Sequence, residues 1–289
     1  MAINKRPSLR QRFLGAELRR FREAAKMTLD AVGKEMDVSD ASISRLENAQ
    51  VRARVRDVAF LLDLYGVTDT EKREALITLA RDVRKTGWWS RYAGAVARPY
   101  VEFVSLEAEA GSLWTYEAQL IPGLLQTEGY LRAMIETGQT KLAPERVETL
   151  VEVRKTRQQV FDREPEPLRY WAVLDEAALH RVIGGEGVMR EQFKYMVDMA
   201  DRSNVTVQVL PYRAGMPTWV NGPFNILEFP VPADLSVVCM ENLSGTLYLE
   251  EDQDIERYTL AFRHLSAAAL SPKDSRELIE KAAKTHGTG

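Results

Sequence analysis

The segment Thr28–Glu47, TLDAVGKEMDVSDASISRLE, constrains the fold more than any other part of the chain, because its apolar and small residues fall where two short helices must cross tightly. A first helix is expected over about Thr28 to Met36, with Thr28 as its N-cap and Val32 and Met36 on one inward face. Gly33 lies beside them. A glycine inside a helix costs roughly 1 kcal/mol relative to alanine, and it is tolerated where a second helix has to approach closely. After a break at Asp37 and Val38, that second helix is expected to begin at Ser39 and to bury Ile43 and Leu46, leaving Asp40, Ala41, Ser42, Ser44 and Arg45 facing outward. The outer face is short, slim and polar. Such a face fits a DNA major groove, where the N-terminal half of the helix meets base edges.

The run Val38-Ser39-Asp40-Ala41-Ser42-Ile43-Ser44-Arg45-Leu46-Glu47 resembles the second motif helix of the Cro/phage-repressor (XRE) family of helix-turn-helix proteins. Members of that family usually carry Ala where Gly33 stands, Gly where Asp37 stands and Asn-Gly where Asn48-Ala49 stands. Asp tolerates the left-handed conformation of such a turn at modest cost, so the turn is expected to survive. The resemblance implies a compact all-α bundle that binds double-stranded DNA. One small module makes too few contacts for strong discrimination, so a homodimer is expected on an inverted repeat, with half-sites about 10 bp or a multiple apart. Arg45 is the expected guanine O6/N7 contact and Asp40 the acceptor from a cytosine N4, with Ser39, Ser42 and Ser44 bonding phosphates or base edges.

Charge supports that division of labour. The whole chain carries 39 Lys/Arg against 42 Asp/Glu. Residues 1–66 hold 13 against 9, a balance of +4, and the remainder holds 26 against 33, a balance of −7. Lys5, Arg6, Arg10, Arg12, Arg19, Arg20, Arg22 and Lys26 face only Glu17 and Glu23 ahead of the motif, and Arg52, Arg54 and Arg56 follow it. Such clusters mark phosphate contacts, and Thr28, Arg19, Arg52 and Arg54 are the candidates. The single cysteine, Cys239, excludes an intramolecular disulfide framework and a cysteine-based zinc finger. There is no run of about 18 apolar residues and no apolar N-terminal leader, so a cytoplasmic protein without a membrane span is expected.

A chain of 289 residues suggests two domains. Leu14, Leu18, Phe21 and Ala25 predict an opening helix, Val58 to Tyr65 a helix ended by Gly66, and Thr68-x-x-Glu71 a capping box for a fifth through Leu76, Leu79 and Val83. Together they make a helix-turn-helix domain over residues 1–86. From Gly87 the chain turns aromatic, with Trp88, Trp89, Tyr92, Tyr100 and Trp114 expected in packing or as a pocket or partner surface. A helix entered at Pro99 carries Phe103, Leu106 and Ala110, Trp114 and Tyr116 give a weak strand signal, and helices follow over Leu124 to Met134 and Ala143 to Phe161. Leu168–Leu174, a helix over Glu186–Arg202 and Val205–Leu210 then read as a right-handed parallel crossover. Phe224–Phe229, Leu235–Glu241 and Thr246–Glu250 read as an antiparallel run, before a helix over Asp252–Ala269, a short one from Ser271-Pro272 and a disordered tail from Thr285. The fold class is thus mainly α, an all-α bundle followed by an α+β domain with a mixed sheet over residues 87–289.

Ile121-Pro122-Gly123-Leu124-Leu125-Gln126-Thr127, Val205 to Pro211, Gly222-Pro223-Phe224 and Ala268 to Pro272 resemble the uncharacterised C-terminal domain that accompanies these modules in many actinobacterial regulators. That resemblance implies an antitoxin-like regulator whose second domain binds a small protein encoded by a neighbouring gene. The alternative is a ligand-sensing factor whose second domain holds a small molecule. An enzyme domain tethered to DNA ranks last. His180, His264 and His286 have no metal-ligand spacing, no nucleophile elbow or P-loop is present, Gly184-Gly185-Glu186-Gly187 follows no strand, and Cys239 sits among apolar strand residues. No catalytic, metal or cofactor residue is therefore assigned.

Overall fold

Five helices build the first of two compact units into which the chain divides, residues 1–87 and Trp88–Phe229 with Ser236–Gly289. The computed structural model describes residues 9–82, 87–92, 94–138, 141–215, 218, 222–230, 236–242 and 245–285. Lys5, Arg6, Val83, Leu235, His286 and the chain end after Thr285 lie outside them. The first unit holds α1 (Leu9–Ala24), α2 (Leu29–Glu35), α3 (Asp40–Glu47), α4 (Val55–Leu64) and α5 (Thr70–Asp82). Their shared core joins Leu14 and Leu18 of α1, Val32 of α2, Ile43 and Leu46 of α3, Val58, Leu61 and Leu62 of α4, and Leu76 and Leu79 of α5. The cap of α5 differs from the one expected. Asp69, not Thr68, receives the Lys72 amide at 3.1 Å, so the helix starts one residue later than the Thr68-x-x-Glu71 pattern implies.

The second unit is α+β. Its helices are α6 (Arg98–Glu107), α7 (Glu128–Glu136), α8 (Pro144–Gln158), α9 (Ala177–His180), α10 (Gly185–Ala200), α11 (Asp252–Ala268) and α12 (Pro272–Thr285). Its strands are β1 (Ser112–Glu117), β2 (Arg169–Asp175), β3 (Val205–Leu210), β4 (Phe224–Glu228), β5 (Ser236–Asn242) and β6 (Gly245–Leu249), in the sheet order β3-β2-β1-β4-β5-β6. β1, β2 and β3 pair in parallel, and β1 pairs antiparallel with β4, β4 with β5 and β5 with β6. The weakly signalled strand at Trp114 is therefore the centre of the sheet. Ala110 falls beyond the end of α6, α8 gives way to a 3-10 turn over Gln159–Asp162, and α12 is a helix of 14 residues instead of a short one.

The alternation of β-strand side chains gives this sheet two unlike faces. On one, Trp114, Tyr116, Trp171, Phe224, Ile226 and Val238 pack against Phe262 and Leu265 of α11, with Trp114 stacked on Phe262 at 5.3 Å between centroids. On the other, Thr115 of β1 stands opposite Asn225 of β4, and its hydroxyl donates to Asn225 Oδ1 at 2.8 Å. The other aromatics of residues 88–100 form a smaller cluster, partly buried. Trp88, Trp89 and Tyr100 pack around Tyr92, Val96, Val104 and Val153. At the β3 edge, the Val209 amide donates to Ser275 Oγ of α12 at 2.9 Å and the Val209 carbonyl accepts from Leu270 N at 2.9 Å.

Candidate nucleic-acid interface

The geometry of α2 and α3 starts from three backbone devices. Thr28 Oγ1 accepts from Ala31 N at 3.1 Å and Ser39 Oγ from Ser42 N at 3.2 Å, so each helix opens on a side-chain cap. Between them Asp37 takes φ 54°, the left-handed turn that the family usually gives to glycine. Ala49, just after α3, also takes a left-handed φ of 56°. Gly33 supplies the close approach, since a Cβ there would lie 2.7 Å from the Val38 carbonyl oxygen and 3.2 Å from the Asp40 amide.

A second glycine, which the periodicity of α1 does not single out, does the same from the other side. A Cβ on Gly15 would collide with the Glu47 carbonyl, at 2.9 Å from its carbon. Backbone cannot yield as a side-chain tip can. Gly15→Ala is therefore expected to destabilise the first unit by about 1–3 kcal/mol, measured as a lower midpoint of unfolding in far-UV circular dichroism.

Glu47, the last residue of α3, is held from α1. Arg22 Nε and Nη2 donate to its two carboxylate oxygens at 2.7 and 3.0 Å, and Arg22 Nη1 donates to Met27 O at 2.9 Å. The two side chains are 11% and 4% exposed. The hydrogen bonds that Arg22 donates to Glu47 raise the Arg22 pKa and keep the guanidinium charged. Arg22 belongs to the basic cluster ahead of the motif. Its guanidinium is instead spent inside the bundle, clamping the C-terminal end of α3.

The outer face of α3 is open to solvent. Ser39, Asp40, Ala41 and Arg45 are exposed, and Ser42 and Ser44 half-buried. Arg45 Nη2 donates to Ser42 Oγ at 3.2 Å, and Ser42 Oγ lies 2.9 Å from Ser39 Oγ, a chain of polar groups running toward the helix N-terminus. Asp40 Oδ1 accepts from the Ala41 amide at 2.7 Å, and Asn48 Nδ2 donates to the Ser44 carbonyl at 2.8 Å. Thr28, Arg52 and Arg54 are exposed, Arg54 preceding the first residue of α4. Arg19 is exposed and donates to Glu23 Oε1 at 2.9 Å, a pair that a phosphate can displace, because surface ion pairs contribute only about 0–1 kcal/mol.

The second unit offers a different chemistry. Arg157 of α8 donates from Nε and Nη2 to both oxygens of Glu107 at 2.7 and 2.6 Å, with side-chain exposures of 5% and 1%, and from Nη1 to Tyr100 Oη at 2.8 Å. Arg154, one turn before it, donates from Nη1 to the Gly123 carbonyl at 2.9 Å and to Gln126 Oε1 at 2.6 Å. Cys239 is buried, and burial pushes its thiol pKa up, which keeps it protonated and unreactive. His180 is largely exposed and stacks on Tyr212 at 5.7 Å. Among the described residues, no helix is long and apolar enough to cross a membrane.

Two crossing helices with a capped, solvent-facing second member define a helix-turn-helix protein, and residues 14–76 match a helix-turn-helix domain. Residues 100–281, more than half of the chain, match the family described as Domain of unknown function (DUF5753), and the chain belongs to that family. No curated protein and no solved structure is significantly similar to it. A helix-turn-helix domain joined to this α+β unit makes the chain a DNA-binding regulator.

Proposed function

We propose that the protein is a sequence-specific transcriptional regulator that binds an inverted repeat as a homodimer, in the cytoplasm, with α3 in the major groove. The observation that carries this reading is the outer face of α3, where Asp40, Ala41 and Arg45 are exposed while Ile43, Leu46 and Glu47 anchor the opposite side. Arg45 is the reader of a guanine, and Asp40 selects a cytosine or excludes other bases. Ser39 and Thr28 cap their helices, and Arg19, Arg52 and Arg54 grip phosphates. Selection of binding sites from random duplexes tests the reading. Arg45→Ala is expected to weaken the selected site by about 1–3 kcal/mol and to relax the choice at one base pair. Equal weakening on every sequence would refute that role and leave Arg45 a phosphate contact.

The second unit signals without catalysing. The resemblance to antitoxin-like regulators favours a small protein from a neighbouring gene as what it binds. A second reading, a ligand sensor that shifts the dimer between binding and non-binding arrangements, is favoured by one observation: a cavity with converging polar groups between the sheet, α6 and α8. Operator affinity measured with the purified neighbour and with small molecules separates the two.

A further inference from the structure

The polar face of the sheet covers a cavity of about 170 Å³, walled by Tyr100 and Phe103 of α6, Leu113 of β1, Tyr170 of β2 and the segment Leu120–Leu124. Buried polar groups are costly unless bonded, and one of them here is not. Arg154, 8% exposed, leaves its Nε without a hydrogen-bond partner. Glu117, half-buried, and Glu241, exposed at its mouth, also line the cavity, and neither carboxyl has a hydrogen-bond or ion-pair partner among the described residues. Burial and the charge of Glu241 push Glu117 up to about 7. The neighbouring Arg157 is already neutralised by Glu107. The cavity therefore presents one guanidinium in want of an acceptor and two carboxyls in want of a cation.

We propose that this cavity binds a small zwitterion of the amino-acid class, its ammonium group taken by Glu117 and Glu241 and its carboxylate by Arg154. The proposal rests on the ligand-sensing reading of the second unit and names the ligand's chemistry. Size agrees. A cavity of about 150 Å³ takes up benzene, so this one holds roughly six to ten non-hydrogen atoms. The ring of Phe103, Leu113 and Met134 provide an apolar wall for a side chain.

The test is thermal unfolding of the full chain, followed by tryptophan fluorescence at neutral pH, with each standard amino acid at about 10 mM. The singly charged controls are 3-methylbutylamine and 4-methylpentanoate. At least one amino acid should raise the midpoint and bind calorimetrically with a Kd below about 1 mM, and about tenfold or more tighter than either control. Binding an ammonium draws Glu117 back to its ionised form, so protons are released and the heat varies with the buffer. Glu117→Gln should have an unliganded midpoint no lower than that of the wild type, lose that proton release and weaken binding about tenfold or more. No shift with any amino acid, a control that binds as tightly, or unchanged binding by Glu117→Gln overturns the assignment. Operator binding by the same samples keeps the two readings apart. An amino acid that binds while operator affinity stays constant supports the site and removes the sensing role. Absence of amino-acid binding with operator binding intact overturns the ligand class alone.

Discussion

Glu47→Ala should destabilise the first unit by about 3–5 kcal/mol, the usual effect of removing one partner of a buried ion pair. The substitution leaves the Arg22 guanidinium, 11% exposed, with the Met27 carbonyl as its hydrogen-bond acceptor and the Glu23 carboxylate 3.6 Å from Nη2. It also frees the end of α3 from α1. The sequence provides a clean readout, because all five tryptophans, Trp88, Trp89, Trp114, Trp171 and Trp219, lie after residue 87. Tryptophan fluorescence therefore reports the second unit only. Far-UV circular dichroism of the full chain should show an early helical transition in Glu47→Ala while the fluorescence midpoint stays near that of the wild type, and operator affinity should fall as the folded fraction of the bundle falls. Replacing both partners by apolar residues, Arg22→Met with Glu47→Leu, should recover much of the loss, since well-packed apolar pairs often equal a buried ion pair. An unchanged dichroism transition in Glu47→Ala would mean that the clamp contributes nothing.

The mirror experiment lies in the second unit. Glu107→Ala should cost about 3–5 kcal/mol there, because Arg157 is 5% exposed and keeps only the Tyr100 hydroxyl as an acceptor. This time the fluorescence midpoint should drop, and the early dichroism transition should not appear. Glu117 faces the same cavity with the opposite sign. Its folded pKa is raised to about 7, so the folded chain binds more protons than the unfolded one between the ordinary carboxyl range and neutrality. Its contribution to stability is therefore lost as pH rises through that window. Among the carboxylates of the cavity, Glu107 is paired with an arginine and Glu117 is not, and that difference sets the sign of each contribution.

Local pattern was enough where the cause was local. Thr28 as a cap, Gly33 as a close approach and Asp37 in the left-handed turn each follow from a few adjacent residues, and each stands as expected, while Ser39, expected as the first residue of the second helix, is its N-cap. The Asp69 cap was misread by one position because Thr68 and Asp69 are both good N-cap residues. The role of Arg22 was not legible because its partner lies 25 residues away, and nothing around Arg22 distinguishes a clamp from a phosphate contact. Gly15 did carry a signal, a glycine in the interior of a helix, but what it approaches is visible only once α3 is in place. β1 looked weak because its two faces differ in kind, Trp114 and Tyr116 on one and Thr115 and Glu117 on the other. The cavity was illegible for a related reason. α8 is rich in charge, and the burial of Arg154 and Arg157 depends on Glu107, Tyr100, Gly123 and Gln126, which come from other segments.

The serine on α12 that takes the Val209 amide has a consequence for how the sheet behaves among other molecules. An outermost strand with bare amides and carbonyls is a template for a foreign strand. β3 is spared that role by a helix contributed from the far end of the chain, where other proteins rely on lysine, proline or a bulge. Trimming the chain ahead of Pro272 would thus remove a guard against clumping, and the damage would show as sticky, self-associating material before it showed as lost secondary structure.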